Sequence, residues 1–284
     1  VAVFEDVVGG ERPAAPAGAP PPERGRFDGP TGRPAQPSTP GRRGAPGPPF
    51  PPLQVLVERC PDEHVGLGVG TQLGLAVSKA IVVQSGLTNL DGPDLATMIE
   101  RGERSAIGIH GFDRGGLIVE PGKRAGEAVS PLLTCIRLPE DWRVAVFVPK
   151  VENGWHGPKE RGAFASAATT GLTESLCDLA LRELLPAAAA GDIRSFGEAV
   201  HHFNRRAGEP FAAAQGGAYS SPEVTGLIDR VRSLGVPGAG QSSWGPAVFA
   251  IVEDPDRGAD LLKKMPGTRG WLARISDGHV VERE

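Results

Sequence analysis

Three glycines at alternate positions, Gly66, Gly68 and Gly70, stand directly ahead of a helical apolar period in the stretch Glu63 to Ile81. Glycine tolerates positive φ and lets the backbone approach a ligand closely. Thr71 is a fair N-cap, and Leu73, Ala76, Val77, Ala80 and Ile81 fall on one predicted helical face. A strand-like run, Leu53 to Glu58, lies just upstream. Strand, glycine turn and helix N-terminus present unpaired N–H groups and the positive end of a helix dipole to an anion. This is a phosphate cradle in outline. A glycine turn that only packs a helix on a sheet stays open beside it, because glycine patterns alone are weak signals.

The ordered core is expected to begin near Pro52. Half of the 28 prolines lie between Pro13 and Pro52, mixed with Gly, Ala and Arg, and no apolar period survives there. Residues 1–50 are therefore read as a disordered or polyproline-like segment. The full sequence is 39% hydrophobic, and the remaining chain is long enough for a real core. The formal net charge of −4 argues against bulk attraction to nucleic acid or an anionic membrane, so any phosphate site must be local. No apolar run reaches the length of a membrane span. No secretory signal is visible, and Cys60, Cys135 and Cys177 lack metal-like spacing. Both features fit a cytoplasmic protein with reduced thiols.

Strands are expected within Leu117–Glu120, Leu132–Leu138, Arg143–Lys150 and Ala247–Val252, with a final hairpin of Trp271–Ile275 and His279–Glu282 around Asp277-Gly278. Helices are expected over Asp94–Arg101 (Leu95, Met98 and Ile99 inward), Thr173–Leu185, Ile193–Arg206, Ser221–Leu234 and Asp256–Lys264. Helices mixed with antiparallel strands, without regular βαβ alternation, predict an α+β fold.

Four polar glycine-bearing passages carry the candidate chemistry. They are Gly66–Thr71, Ile107–Gly116, Gln215–Gly217 and Gly238–Gly245. Glycine loops bearing Ser and Gln offer backbone and side-chain donors to phosphate oxygens. Arg114, Lys123 and Arg124 would add charge-assisted contacts. His110 and Asp113 are the candidate acid–base pair, read as lying in a loop whose glycine flanks leave the imidazole accessible. The competing role for His110 is a backbone bond within a tight turn. Adjacent His201 and His202 point in different directions on a helix, which suits solvated or structural roles better than metal binding. His156 lies in a polar loop with Lys159, Glu160 and Arg161. Trp244 is a packing residue or an aromatic stacking surface.

GLGVGTQLGLAVSKA resembles the phosphate loop of the GHMP kinase superfamily, usually a Gly-Leu-Gly-Ser-Ser run opening a helix. GVPGAGQSSWGPAVFAIVED resembles that superfamily's C-terminal glycine motif. Taken with RSAIGIHGFDRGGLIVEPG and FAAAQGG, these segments resemble the β-ribofuranosylaminobenzene 5′-phosphate synthase family, from about Leu53 onward. The resemblance implies a ribosomal protein S5 domain 2-like domain over 51–140 and a ferredoxin-like domain over 141–284. It implies condensation of phosphoribosyl pyrophosphate with 4-aminobenzoate or 4-hydroxybenzoate, releasing CO2 and pyrophosphate, on the way to methanopterin. Mg²⁺ is the implied cofactor, and no metal ligand is singled out. The implied phosphate-binding residues are Gly66, Gly68, Gly70, Thr71, Gln72, Gly238, Gly240, Gln241, Ser242 and Ser243. Arg114, Gln215 and Trp244 would bind substrate, and His110 or Asp113 would hold the ring substituent or manage a proton.

Three departures qualify the resemblance. Val69-Gly70-Thr71-Gln72 replaces the kinase Ser-Ser, and His110 stands where the kinases place a catalytic Asp. A basic segment resembling Ser-Arg-Leu-His-Phe-Gly, usual before the family's glycine loop, is replaced by the proline-rich residues. An ATP-dependent small-molecule kinase and a non-catalytic phosphoribosyl-binding protein therefore stay open as alternatives, as does a homodimer.

Overall fold

The computed structural model describes residues 54–87, 89–150 and 171–282. The proline-rich residues 1–50 and the passage holding His156, Lys159, Glu160 and Arg161 lie outside them. Residues 54–58 run as exposed, irregular chain rather than as the expected strand. A strand needs a paired edge, and none of the described strands pairs with this run.

Helices α1 (Val69–Gln84), α2 (Gly92–Met98) and α3 (Ile107–Arg114) pack through Leu75, Val82, Leu95, Ala96, Ile109 and Phe112. In α1 the inward positions are Leu75 and Val82, while Ala76, Ala80 and Ile81 face outward, contrary to the predicted stripe. The helix is apolar almost all round, so its period cannot fix its phase. Helix α2 starts at a capping box between Asp91 and Asp94 and stops before Glu100, whose φ of 55° is left-handed. Met98 is consequently 62% exposed rather than inward. The second glycine passage is not a loop: Ile107–Arg114 is helical, with Ile109 and Phe112 buried one turn apart. A short antiparallel pair follows, β1 (Leu117–Val119) with β2 (Thr134–Ile136).

Strand β3 (Arg143–Val148) has Val144, Ala145, Val146 and Phe147 all at 1% exposure or less, so both faces are covered. The second half then supplies α4 (Leu172–Leu179), a π turn (Ala180–Leu184), α5 (Leu185–Ala190) and α6 (Ile193–Gly208). A 3-10 turn (Glu209–Phe211), α7 (Ala212–Gln215) and α8 (Pro222–Ser233) come next. The caps Asp192, Ser221 and Asp254 accept N–H bonds at the starts of α6, α8 and α9 (Pro255–Lys263). Strands β4 (Ala239–Gln241), β5 (Val248–Val252) and β6 (Arg269–Arg274) join β3 in the antiparallel order β4-β5-β3-β6.

Alternation along β3 and β5 sends Ala145, Phe147, Val248, Ala250 and Val252 to one core with α8 and α9. Val144, Val146, Phe249 and Ile251 go to a second core with the π turn, α5 and α6. The architecture is α+β. The expected terminal hairpin does not form. After β6 the chain crosses to α3, where Gly116 N–H donates to Ser276 O and His279 N–H to Phe112 O. Among the described residues no helix is long and apolar enough to cross a membrane.

Candidate functional site

The first glycine loop and the β4–β5 connection are built against each other. Gly66 has φ of 93°, and a Cβ there would lie 2.4 Å from Ser242 O, so only glycine fits. Ser242 Oγ donates to Gly66 O at 2.9 Å, and Ala247 N–H donates to Val65 O at 3.0 Å. Gly68, in the left-handed region at φ 68°, is the N-cap of α1, in place of the predicted Thr71. Thr71 and Gln72 donate to Gly68 O. The N–H groups of Val69 and Gly70 precede those first intrahelical bonds. Among the described residues no side chain caps this end, and its first turn holds no acidic residue, so the positive end of the dipole is available to an anion. Gln72 Nε2 donates to Gly108 O at 2.8 Å, tying α1 to α3.

Gln241 locks the second loop. It is 6% exposed; its Oε1 accepts from Ser220 N–H at 2.7 Å and its Nε2 donates to Ser243 O at 2.8 Å. Its backbone is clamped from α6, where Asn204 Oδ1 accepts from Gln241 N–H and Nδ2 donates to Gln241 O, both at 2.9 Å. Ser242, Ser243 and Trp244 are thereby presented on a turn whose Ser243 has φ of 50°.

These loops form the floor of a cavity of about 510 Å³. One wall is the strap Glu100–Ser105, bearing Arg101, Arg104, Glu100 and Glu103. Glu120 anchors the strap by accepting from Ser105 Oγ at 2.7 Å and Ala106 N–H at 2.8 Å. Arg101 reaches over the first turn of α1: a Cβ on Gly70 would stand 3.6 Å from its Nη2. Another part of the lining is aromatic. Phe211 meets Trp244 edge to face at 4.8 Å, and Gln215, Tyr219 and Phe249 continue it. Burial pushes the Tyr219 hydroxyl up to about 12, so it is a neutral donor at any working pH.

Of the predicted residues, Gly66, Gly68, Thr71, Gln72, Gln215, Gln241, Ser242, Ser243 and Trp244 line this cavity. Gly70 is one residue inside α1 and does not line it. Gly238 and Gly240 lie behind the lining. A Cβ on Gly238 would meet Gly197 Cα at 3.0 Å and one on Gly240 would meet Asn204 Oδ1 at 2.6 Å, so both serve the close approach of α6 to β4.

His110, Asp113 and Arg114 are not brought to the cavity. Helix geometry turns His110 inward to 6% exposure, with Nε2 donating to Ser130 O at 2.9 Å; its glycine flanks do not expose it. Asp113 Oδ2 accepts from Gly92 N–H at 2.6 Å and staples α2 to α3. Arg114 is exposed at the end of α3. Lys123 reaches the strap carbonyls of Gly102 and Glu103 at 3.5 Å instead of the cavity. His201 is structural: Nδ1 donates to Ala239 O at 2.9 Å, and desolvation holds its pKa below the ordinary value.

Sequence reasoning missed Arg101, Arg104, Asn204 and Tyr219. Tyr219 follows Gln215-Gly216-Gly217 by two residues, and the strap's Arg-Gly-Glu-Arg ends two residues short of the second glycine passage. Adjacency to predicted loops was the available signal for these three residues. Asn204 gave none, since its role depends on a partner 37 residues away.

The family "GHMP kinases C terminal" matches residues 184–268. The Beta-ribofuranosylphenol 5'-phosphate synthase of Archaeoglobus fulgidus is 31% identical over 228 residues, 75% of this chain and 69% of that protein. Its namesake in Methanothermobacter thermautotrophicus is 31% identical over 205 residues, 67% of this chain. The chain spans 61% of the length of that relative. Among solved structures, homoserine kinase from Cytophaga hutchinsonii superposes with a TM-score of 0.54 at 14% identity, covering 76% of this chain and 68% of the kinase. Mevalonate pyrophosphate decarboxylase from Streptococcus pyogenes gives 0.53 at 15%, covering 73% and 64%. These two share the fold.

Proposed function

Because the chain belongs to the beta-ribofuranosylphenol 5'-phosphate synthase family of the GHMP kinase superfamily, we propose that it joins C1 of phosphoribosyl pyrophosphate to the ring of 4-hydroxybenzoate or 4-aminobenzoate. CO2 and pyrophosphate leave, and a C-riboside phosphate forms. One observation carries this reading: a single cavity sets an uncapped helix N-terminus, two serines and Arg101 against an aromatic wall. A polyanionic leaving group and a benzene ring are what such walls would take.

In this reading the pyrophosphate lies against the first turn of α1, with Thr71, Ser242 and Ser243 as hydroxyl donors and Arg101 above. The C1–O bond breaks with its electron pair on pyrophosphate, and fixed donors stabilise the charge that develops there. The ring carbon bearing the carboxylate gives π electrons to C1. The bond to the carboxylate then breaks, CO2 leaves, and its electrons restore the aromatic ring. A ring hydroxyl or amine para to that carbon supplies the electron density the attack needs. The Phe211–Trp244 wall would hold the ring and exclude water from the cationic sugar. Mg²⁺ usually arrives on phosphates and needs only one or two protein carboxylates. Glu100 and Glu103 line the cavity and suit that demand; the ion would neutralise charge on the leaving pyrophosphate.

The test is an assay of the purified chain with phosphoribosyl pyrophosphate, Mg²⁺ and carboxyl-labelled acid. Labelled CO2 equal to pyrophosphate is expected, with none when ATP replaces the phosphoribosyl donor; release of neither product overturns the reading. Arg101→Ala should raise KM for phosphoribosyl pyrophosphate about tenfold, as loss of one charge-assisted contact implies, and leave KM for the acid within about twofold.

A further inference from the structure

Among the described residues, four buried side-chain polar atoms have no hydrogen-bond partner, and two of them belong to one wall of the cavity. They are the Tyr219 hydroxyl and Gln215 Oε1. Tyr219 is 6% exposed and packs into the core beside Val248 and Phe147. A buried donor and a buried acceptor left unmade are each costly, and the two do not satisfy one another here.

We propose that Tyr219 and Gln215 are the specificity pair of this cavity, holding a hydroxyl on the ring of the aromatic co-substrate. The proposal rests on the C-riboside reading for the identity of that co-substrate. A phenolic hydroxyl accepts from the Tyr219 O–H and donates its own proton to Gln215 Oε1, so both orphaned atoms find partners. A ring amine donates to both and leaves the Tyr219 proton unpaired, because a conjugated amine is a poor acceptor. An unsubstituted ring leaves both atoms as they are. The chain therefore selects hydroxyl over amine, and amine over hydrogen.

Both oxygens are themselves buried although their residues line the cavity, so a side chain must turn for a ligand to reach them. Gln215 has the room. It ends α7, it is partly exposed, and the next two residues are Gly216 and Gly217, around which a Cβ would meet nothing within 4 Å. Holding the hydroxyl proton on an amide oxygen also increases electron donation into the ring, in the direction that attack on C1 requires.

The chain has a single tyrosine. Full-length protein grown with ζ-13C tyrosine therefore gives one resonance, which reports this hydroxyl. The protein is titrated with 4-hydroxybenzoate, 4-aminobenzoate and benzoate in the presence of inorganic pyrophosphate, and affinities are read by calorimetry. The expected result is that 4-hydroxybenzoate binds about tenfold more tightly than benzoate, with 4-aminobenzoate between them. It should also move the Tyr219 resonance, and benzoate should not. Tyr219→Phe should bring 4-hydroxybenzoate and 4-aminobenzoate within about twofold of each other, and Gln215→Leu should narrow the lead of both over benzoate. A resonance unmoved at saturating 4-hydroxybenzoate, both variants keeping the wild-type ratios, or no binding of any acid would overturn the proposal. Selective binding without CO2 release from phosphoribosyl pyrophosphate leaves the pair standing and removes the synthase reading. CO2 release with unchanged ratios in both variants does the reverse.

Discussion

Tyr219 can be followed without any ligand, because its ionisation is the only tyrosinate signal the chain can give. Burial raises its pKa from 10.0 to about 12, so the folded form keeps the proton that the unfolded form releases first. The stability that goes with it is whole below pH 10 and is lost as the pH rises from 10 towards 12. The expected outcome is a tyrosinate absorbance midpoint near 12 in the folded protein. Denaturant melts across that window should also fall more steeply for wild type than for Tyr219→Phe, by about 2–3 kcal/mol in total. A midpoint at 10 would mean that the hydroxyl reaches water. Gln241 is the other residue with a disproportionate role, since one side chain satisfies Ser220 N–H and Ser243 O. Gln241→Ala should cost about 2–4 kcal/mol for the two groups it strands. KM for phosphoribosyl pyrophosphate should rise with the loss, because Ser243 loses its support; a thermal melt with parallel kinetics checks both.

Among the elements, what could be seen in the sequence follows how local the cause is. Helices α8 and α9 were expected within one residue of where they lie, because Ser221 and Asp254 cap them and their apolar stripes are clean. Strand β3 was equally visible as a run of β-branched and aromatic residues. Helix α3 was not. Its glycines imitate a ligand loop, and only the packing of Ile109 and Phe112 against α1 and α2 makes it helical. The loop reading leaves His110 and Asp113 accessible, whereas helix geometry puts one in the core and the other at a backbone staple. The loops of the cavity were legible because glycine, serine and glutamine at those positions answer to local backbone demands. Arg101 and Tyr219 were visible only as neighbours of predicted loops, and Asn204 not at all, because their partners lie on distant segments.

Across the whole molecule, the last described residues return to its first helical layer. His279 stacks on Phe112 at 4.2 Å, and its Nδ1 donates to Phe112 O at 2.9 Å. The same carbonyl accepts the His279 backbone N–H at 2.7 Å. A Cβ on Gly115 would lie 1.8 Å from Ser276 O, so the crossing is as tight as the chain permits. His279→Ala removes the ring contact and one of the two bonds. It should speed hydrogen exchange in α3 by about tenfold while amides of β3 and β5 keep their protection. Equal acceleration in both layers would show that the crossing supports the fold globally rather than the helices alone.

The bond from Ser242 to Gly66 closes a span of 176 residues. On the ribosome, the glycine loop emerges long before the turn that completes it, and for that interval the nascent chain has only half of its anion cradle. Ligand therefore cannot assist the early stages of folding; it rewards only a chain that has already brought both halves together. A ligand of the proposed cradle would then act on the lifetime of finished molecules, protecting them from proteolysis, and not on the yield of their synthesis.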